Sequence, residues 1–125
     1  MEDGLSLRIN RGPNAAAKAR RSLTTLRGEL NGQLMETLRL LVTELVTNSV
    51  RHARADTVLL RVRVKKSAVR TEVTDAGPGF DPAKVRSVSS DRAGWGLFLV
   101  EHLATRWGVN RDGEGTRVWF ELRRT

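Results

Sequence analysis

The sequence predicts an α+β fold: a two-layer sandwich in which a mixed, mostly antiparallel sheet carries three helices on one face. Three observations point there. Segments of two-residue and helical hydrophobic period follow one another as strand, helix, helix, strand, strand, loop, helix, strand, strand. Only Lys66-Ser67 separates the strands near 58–65 and 68–75, which leaves room for a turn and none for a crossover. The regular β-α-β repetition of a doubly wound parallel sheet is missing, so a Rossmann-type sheet is not expected.

Each element has its own signal. Leu5, Leu7 and Ile9 alternate with Ser6, Arg8 and Asn10, the period of a half-buried strand. Gly12-Pro13-Asn14 opens a helix expected to run from Ala15 to about Leu30, with Ala19, Leu23, Leu26 and Leu30 at helical spacing, and Asn31-Gly32 stops it. A second helix, about Gln33 to Ala53, carries Leu34, Leu38, Leu41 and Leu45 on one stripe and Val42, Val46 and Val50 on another side. Val58, Leu60, Val62 and Val64 define the next strand, and Val69, Thr71, Val73 and Asp75 share one face of its neighbour. Residues 76–93 are rich in Gly, Pro and Ser and are expected to form a loop. Gly94 to Trp107 has helical spacing, and strands near 107–112 and 116–123 close the chain around Gly113-Glu114-Gly115.

Composition narrows the function. At 125 residues and 13.9 kDa the chain makes one domain, 1–125. It has no cysteine, which excludes a disulfide framework, a thiolate zinc site and a cysteine nucleophile. The two histidines are far apart in sequence. No apolar run approaches the roughly 20 residues of a membrane span, and the N-terminus does not read as a signal peptide, so a cytoplasmic protein with no membrane association is expected. Net charge is +8, and it is lopsided: residues 1–66 hold 13 Lys/Arg and 6 Asp/Glu, residues 67–125 hold 9 and 8. Nucleic acid, an acidic protein, a polyanionic ligand such as a nucleotide, or a merely solvated surface would each account for this. With 5% aromatic residues and no tyrosine, stacking surfaces for bases are poorly supplied. Lys18, Arg20, Arg21 and Arg27 on the first helix are either a docking surface for an acidic partner or a solvated face.

Four clusters can carry chemistry. Glu44 and Asn48 lie one turn apart on the second helix, with Arg51 three residues further. Such a pair can hold a hydrated Mg²⁺, which favours oxygen ligands, and the Glu can accept a proton; equally, it can be the wet side of a helix. His52 falls on the leucine stripe and is expected to be a hydrogen-bonded core residue. Asp75 points toward the helix layer by strand parity, followed by Gly77 and Gly79. Its carboxylate can read a purine edge, and the glycines allow close backbone approach, or the segment is simply a turn. Gly94 and Gly96 open the third helix, where unpaired amides can meet phosphates; no P-loop sequence is present. Gly115-Thr116 starts the last strand, with Thr116 on the inner face.

In that order and on those elements, Glu44-x-x-x-Asn48-x-x-x-His52-Ala53, Asp75-x-Gly77-x-Gly79, Gly94-x-Gly96-Leu97 and Gly115-Thr116 resemble the Bergerat-fold, histidine-kinase-like ATPase domain. The likeness runs from about Leu38 to Leu122. Within that superfamily the sequence is similar to bacterial anti-sigma-factor serine kinases and their small stand-alone relatives, through Leu41-Val-Thr-Glu-Leu-Val-Thr-Asn-Ser-Val-Arg-His-Ala53 and Gly94-Trp-Gly-Leu-Phe-Leu-Val100. The resemblance implies ATP or ADP as ligand, Asn48 on Mg²⁺ and Glu44 as catalytic base. It also implies Asp75 on the adenine with Thr116 behind it, Gly77 and Gly79 shaping the pocket, and Gly94, Gly96 and Leu97 toward the phosphates. Arg51 and the lid cation Arg92 would join the nucleotide site, under a short lid at about 80–93. Implied partners are a sigma factor and an anti-anti-sigma protein, with a homodimer possible in principle and no direct nucleic-acid contact. A non-catalytic ATP-binding switch is the alternative, and a basic nucleic-acid module a weaker one. No phosphoacceptor-histidine helix or transducer domain is seen, which turns the expectation away from histidine kinases, topoisomerases and chaperones.

Overall fold

The computed structural model describes residues 3–52, 56–75, 92–112 and 115–124. Strands β1 (Asp3–Asn10), β2 (Thr57–Val64), β3 (Ala68–Asp75), β4 (Arg106–Asp112) and β5 (Gly115–Arg123) form one sheet in the order β1-β2-β3-β5-β4. Every described pairing is antiparallel. Helices α1 (Ala15–Ser22), α2 (Gly32–His52) and α3 (Arg92–Leu103) make the second layer. The α+β sandwich read from the sequence is present.

Strand parity decides which side is dry. Val58, Leu60, Val62 and Val64 on β2 face the same way as Val69 and Val73 on β3 and Val118, Phe120 and Leu122 on β5, and all are buried. Leu38, Leu41, Val42, Leu45 and Val46 of α2 close over them, joined by Leu97 and Val100 of α3. α2 packs on β2, β3 and β5, with α1 on one flank and α3 on the other. The long central helix is therefore buried on most of its circumference, as its two apolar stripes require.

The first helix ends earlier than its periodicity suggests. After Ser22 the chain tightens into a 3₁₀ segment, Leu23–Glu29. The hydroxyls of Ser22, Thr24 and Thr25 donate to the carbonyls of Ala19, Arg21 and Ser22, at 2.7, 2.7 and 2.9 Å, and compete with α-helical partners there. Leu23 and Leu26 still reach the core, because residues three apart eclipse in a 3₁₀ turn. Asn31 does more than stop this segment: its Oδ1 accepts the Leu34 amide at 2.8 Å and caps α2.

α3 is displaced along the sequence at both ends. It begins at Arg92 rather than Gly94, so the last two residues assigned to the loop are helical, and it ends at Leu103. Trp107 belongs to β4 instead, because the Thr105 amide donates to the Glu121 carbonyl at 2.8 Å and starts the pairing with β5. At the opposite side, the Arg124 guanidinium donates to the carbonyls of Lys65 and Glu29 at 2.8 and 2.7 Å, tying the β2–β3 turn and the 3₁₀ segment to the chain end.

Candidate functional site

The fold places Glu44 and Asn48 where α2 crosses α3. Both are buried, at 7% and 3% exposure, as is Ser49. Buried polar groups on an otherwise leucine- and valine-rich helix cost stability unless they are paired, and their burial excludes the reading of a wet helix face. The crossing depends on Gly96. A β-carbon at that position would lie 2.5 Å from Asn48 Nδ2 and 3.4 Å from Glu44 Cβ. The glycine thus leaves the space that the amide and the carboxylate stem occupy.

A second part of the site lies at the ends of β3 and β5. Asp75 and Thr116 face each other in register, both on the inner side and both at most 2% exposed. The Thr116 hydroxyl is buried without a hydrogen-bond partner among the described residues. Buried hydroxyls normally have a hydrogen-bond partner, so this one is an exception beside a buried carboxylate.

The remaining expected residues divide. Leu97 is fully buried, and its side chain acts in the core. Gly96 and Leu97 sit in the second turn of α3, where the carbonyls of Arg92 and Ala93 are their helical partners. The open amides of the helix start are those of its first turn, which includes Gly94. Arg51 is exposed and lines a cavity of about 310 Å³ with Arg11, Pro13, Ala16 and Thr47, on the side of α2 that meets α1. Gly77, Gly79 and residues 80–91, where a lid is expected, lie outside the described residues, as do the side chains of Arg92 and His52.

The donor set suits a nucleotide. A buried aspartate and a buried hydroxyl lie side by side at one end of the sheet, and a Glu–Asn pair is cleared by a glycine at the helix crossing. Among the described residues no three His, Asp or Glu side chains gather to hold a metal ion. A cation at Asn48 would accordingly keep most of its water, as Mg²⁺ does.

These features are those of a known domain. Residues 9–122 match the histidine kinase-like ATPase domain, and the chain belongs to that family. The class is therefore that of nucleotide-binding ATPase domains. The chain is 29% identical over 84 residues to an uncharacterized sensor-like histidine kinase of Chloroflexus aurantiacus, a stretch that covers 62% of this chain and 14% of that one. Among solved structures, the RsbU and RsbW domains of a Mycobacterium tuberculosis protein superpose with a TM-score of 0.75 at 21% identity, covering 97% of this chain and 32% of theirs. Full-length ShkA in complex with AMPPNP has a TM-score of 0.57 at 33% identity, covering 71% and 22%. The histidine kinase domain of a blue-light activated kinase from Erythrobacter litoralis has a TM-score of 0.61 at 22% identity, covering 88% and 59%. The chain spans less than two thirds of each of these relatives. No helix among the described residues is long and apolar enough to cross a membrane.

Proposed function

We propose that the domain is a Mg·ATP-binding regulatory kinase of the anti-sigma type, which transfers phosphate to a serine or threonine of an antagonist protein. The observation that carries the reading is the crossing of α2 and α3, where Gly96 makes room for the buried Glu44–Asn48 pair. The overlap of almost the whole chain with the RsbU–RsbW structure supports the anti-sigma assignment through its fold. The AMPPNP-bound state of ShkA supports a nucleotide ligand.

In this reading Asp75 and Thr116 hold the adenine edge, and Asn48 contributes one ligand to the hydrated Mg²⁺. Bound Mg·ATP supplies the phosphoryl group. The protein's part in such a transfer is mainly positioning and charge stabilisation. Glu44, dry and one turn from Asn48, accepts the proton of the incoming hydroxyl. First-turn amides of α3 offer positive dipole ends to phosphate oxygens. A sigma factor and an anti-anti-sigma protein are the proposed partners, in the cytoplasm.

The test is incubation with γ-labelled ATP, Mg²⁺ and candidate anti-sigma antagonists from the same genome. Label on a partner serine or threonine establishes the kinase. Nucleotide binding with no transfer to any partner leaves the non-catalytic switch, and label on a histidine assigns the domain to a sensor kinase.

A further inference from the structure

The helices cover one face of the sheet, and the other carries a charge pattern of its own. Its centre holds two carboxylates, Glu72 and Glu121, whose side chains are only 8% and 14% exposed. Five cations crowd them within 4 Å: Arg63, Arg70 and Arg117 around Glu72, and Lys65, Arg70 and Arg106 around Glu121. The anions lie low and the cations stand out. Arg63, Arg117 and Arg106 expose 44%, 46% and 70% of their side chains, so solvent meets positive charge. Arg8, Arg61 and Arg123 share this face by strand parity, are exposed, and make no ion pair with a described residue.

One pairing within this arrangement works against the sheet. Arg63 and Arg70 sit directly opposite each other in the β2–β3 register, a like-charge pairing that weakens a sheet. The Arg70 guanidinium lies 4.3 Å from the Trp119 ring centroid, with Arg106 at 5.9 Å. Trp119 itself lies against Gly108 on β4, where a β-carbon would come within 2.7 Å of the indole nitrogen. Stacking and ion pairing hold long side chains in place that would otherwise lose entropy on binding. A merely solvated surface needs none of this.

We propose that the uncovered sheet face is a docking surface for an acidic segment of a protein partner. Charge complementarity selects that occupant. A second copy would bring the same positive face and be repelled. Nucleic acid fits less well, because the one described tryptophan on this face is already covered by Arg70 and two carboxylates sit at the centre. Guanidinium forks match carboxylates, and Glu72 and Glu121, buried beneath their own cations, hold those forks in place for a partner's acidic side chains. Five strands span about 20 Å, the footprint of one helix or a strand pair and the size of a transient contact. The surface is separate from the nucleotide site and does not depend on the kinase reading.

The experiment titrates a fluorescein-labelled oligoglutamate peptide and a labelled oligothymidylate into the full chain at low and high salt, read by anisotropy. The variant Arg8→Glu/Arg61→Glu/Arg123→Glu is expected to bind the peptide at least about tenfold more weakly at low salt, since each reversal removes an attraction and adds a repulsion. Lys18→Glu/Arg20→Glu/Arg21→Glu on α1, the same change in net charge, is expected to stay within about threefold. Gln at the same three sheet positions gives an intermediate loss and guards against a folding artefact. Equal losses in the sheet and helix variants would overturn the proposal, as would oligothymidylate binding this face more tightly than the peptide.

Discussion

Gly96 of α3 and Asn48 of α2 are in such close contact that no side chain fits between them; an added β-carbon would sit 2.5 Å from the amide nitrogen. On an exposed helix Gly→Ala stabilises by about 1 kcal/mol. Here the sign is expected to reverse, because the buried Asn48 amide would have to shift to admit the added carbon. Gly96→Ala is expected to lower stability by about 1–3 kcal/mol, the range of overpacking, and to weaken Mg·ATP binding at least about tenfold. Denaturant titration and calorimetry check both. A stabilised variant that binds ATP normally would remove Asn48 from the site.

Glu44 and Asn48 share a helix face but are assigned different tasks. Asn48→Ala is expected to abolish the Mg²⁺-dependent part of ATP binding. Glu44→Gln keeps volume and hydrogen bonding, so it is expected to retain nucleotide within about threefold while phosphoryl transfer falls by about 10²-fold or more. Equilibrium binding with and without Mg²⁺, beside single-turnover transfer, separates the two. Transfer at the normal rate in Glu44→Gln would pass the base role to another group.

Much of this was legible in the sequence, for physical reasons. A period of two in Val58–Val64 and in Val69–Asp75 allows only one orientation of the β2–β3 hairpin, so Asp75 had to face the helices. The leucine and valine stripes of α2 likewise left one polar strip for Glu44 and Asn48. Leu23, Leu26 and Leu30 could not reveal the 3₁₀ segment, because a three-residue spacing suits both helix types and side-chain hydroxyls decide between them. Gly96 read as a helix-start glycine because its real constraint, contact with α2, is tertiary. The basic sheet face was equally hidden: Arg8, Arg63, Arg117 and Arg123 are seen to share one face only once strand order and register are known.

Gly108 offers a test of packing that leaves the nucleotide site alone. Its missing side chain lets the Trp119 indole lie on β4, with atoms 2.7–2.9 Å from where a β-carbon would be. Gly108→Ala is expected to tilt the indole, uncouple it from Arg70, and cost about 1–2 kcal/mol. A lowered melting temperature with a shifted tryptophan emission maximum, at unchanged ATP affinity, is the expected result. Unaltered stability would show that Trp119 adjusts freely.

The last prediction uses two threonines in one sheet that look alike and are assigned different roles. Thr71 and Thr116 are both buried on the inner face, and neither hydroxyl has a hydrogen-bond partner among the described residues. Thr71 stands between Val62 and Phe120 in the register, deep in the apolar core. Thr116 stands opposite Asp75 at the sheet's end. Replacing an unsatisfied buried hydroxyl by the methyl of Val removes a desolvation cost of about 1 kcal/mol, so both Thr→Val variants are expected to gain stability. Only Thr116→Val should lose ATP affinity, by about 3- to 10-fold, as one hydrogen bond to the ligand disappears. Asp75→Asn should lose more, because it changes the acceptor that reads the adenine while leaving the fold intact. Thermal melts and calorimetric titration of the three variants decide the matter. If Thr71→Val weakens ATP binding as much as Thr116→Val does, the effect belongs to the core, and the sheet end at Asp75 is not the adenine site.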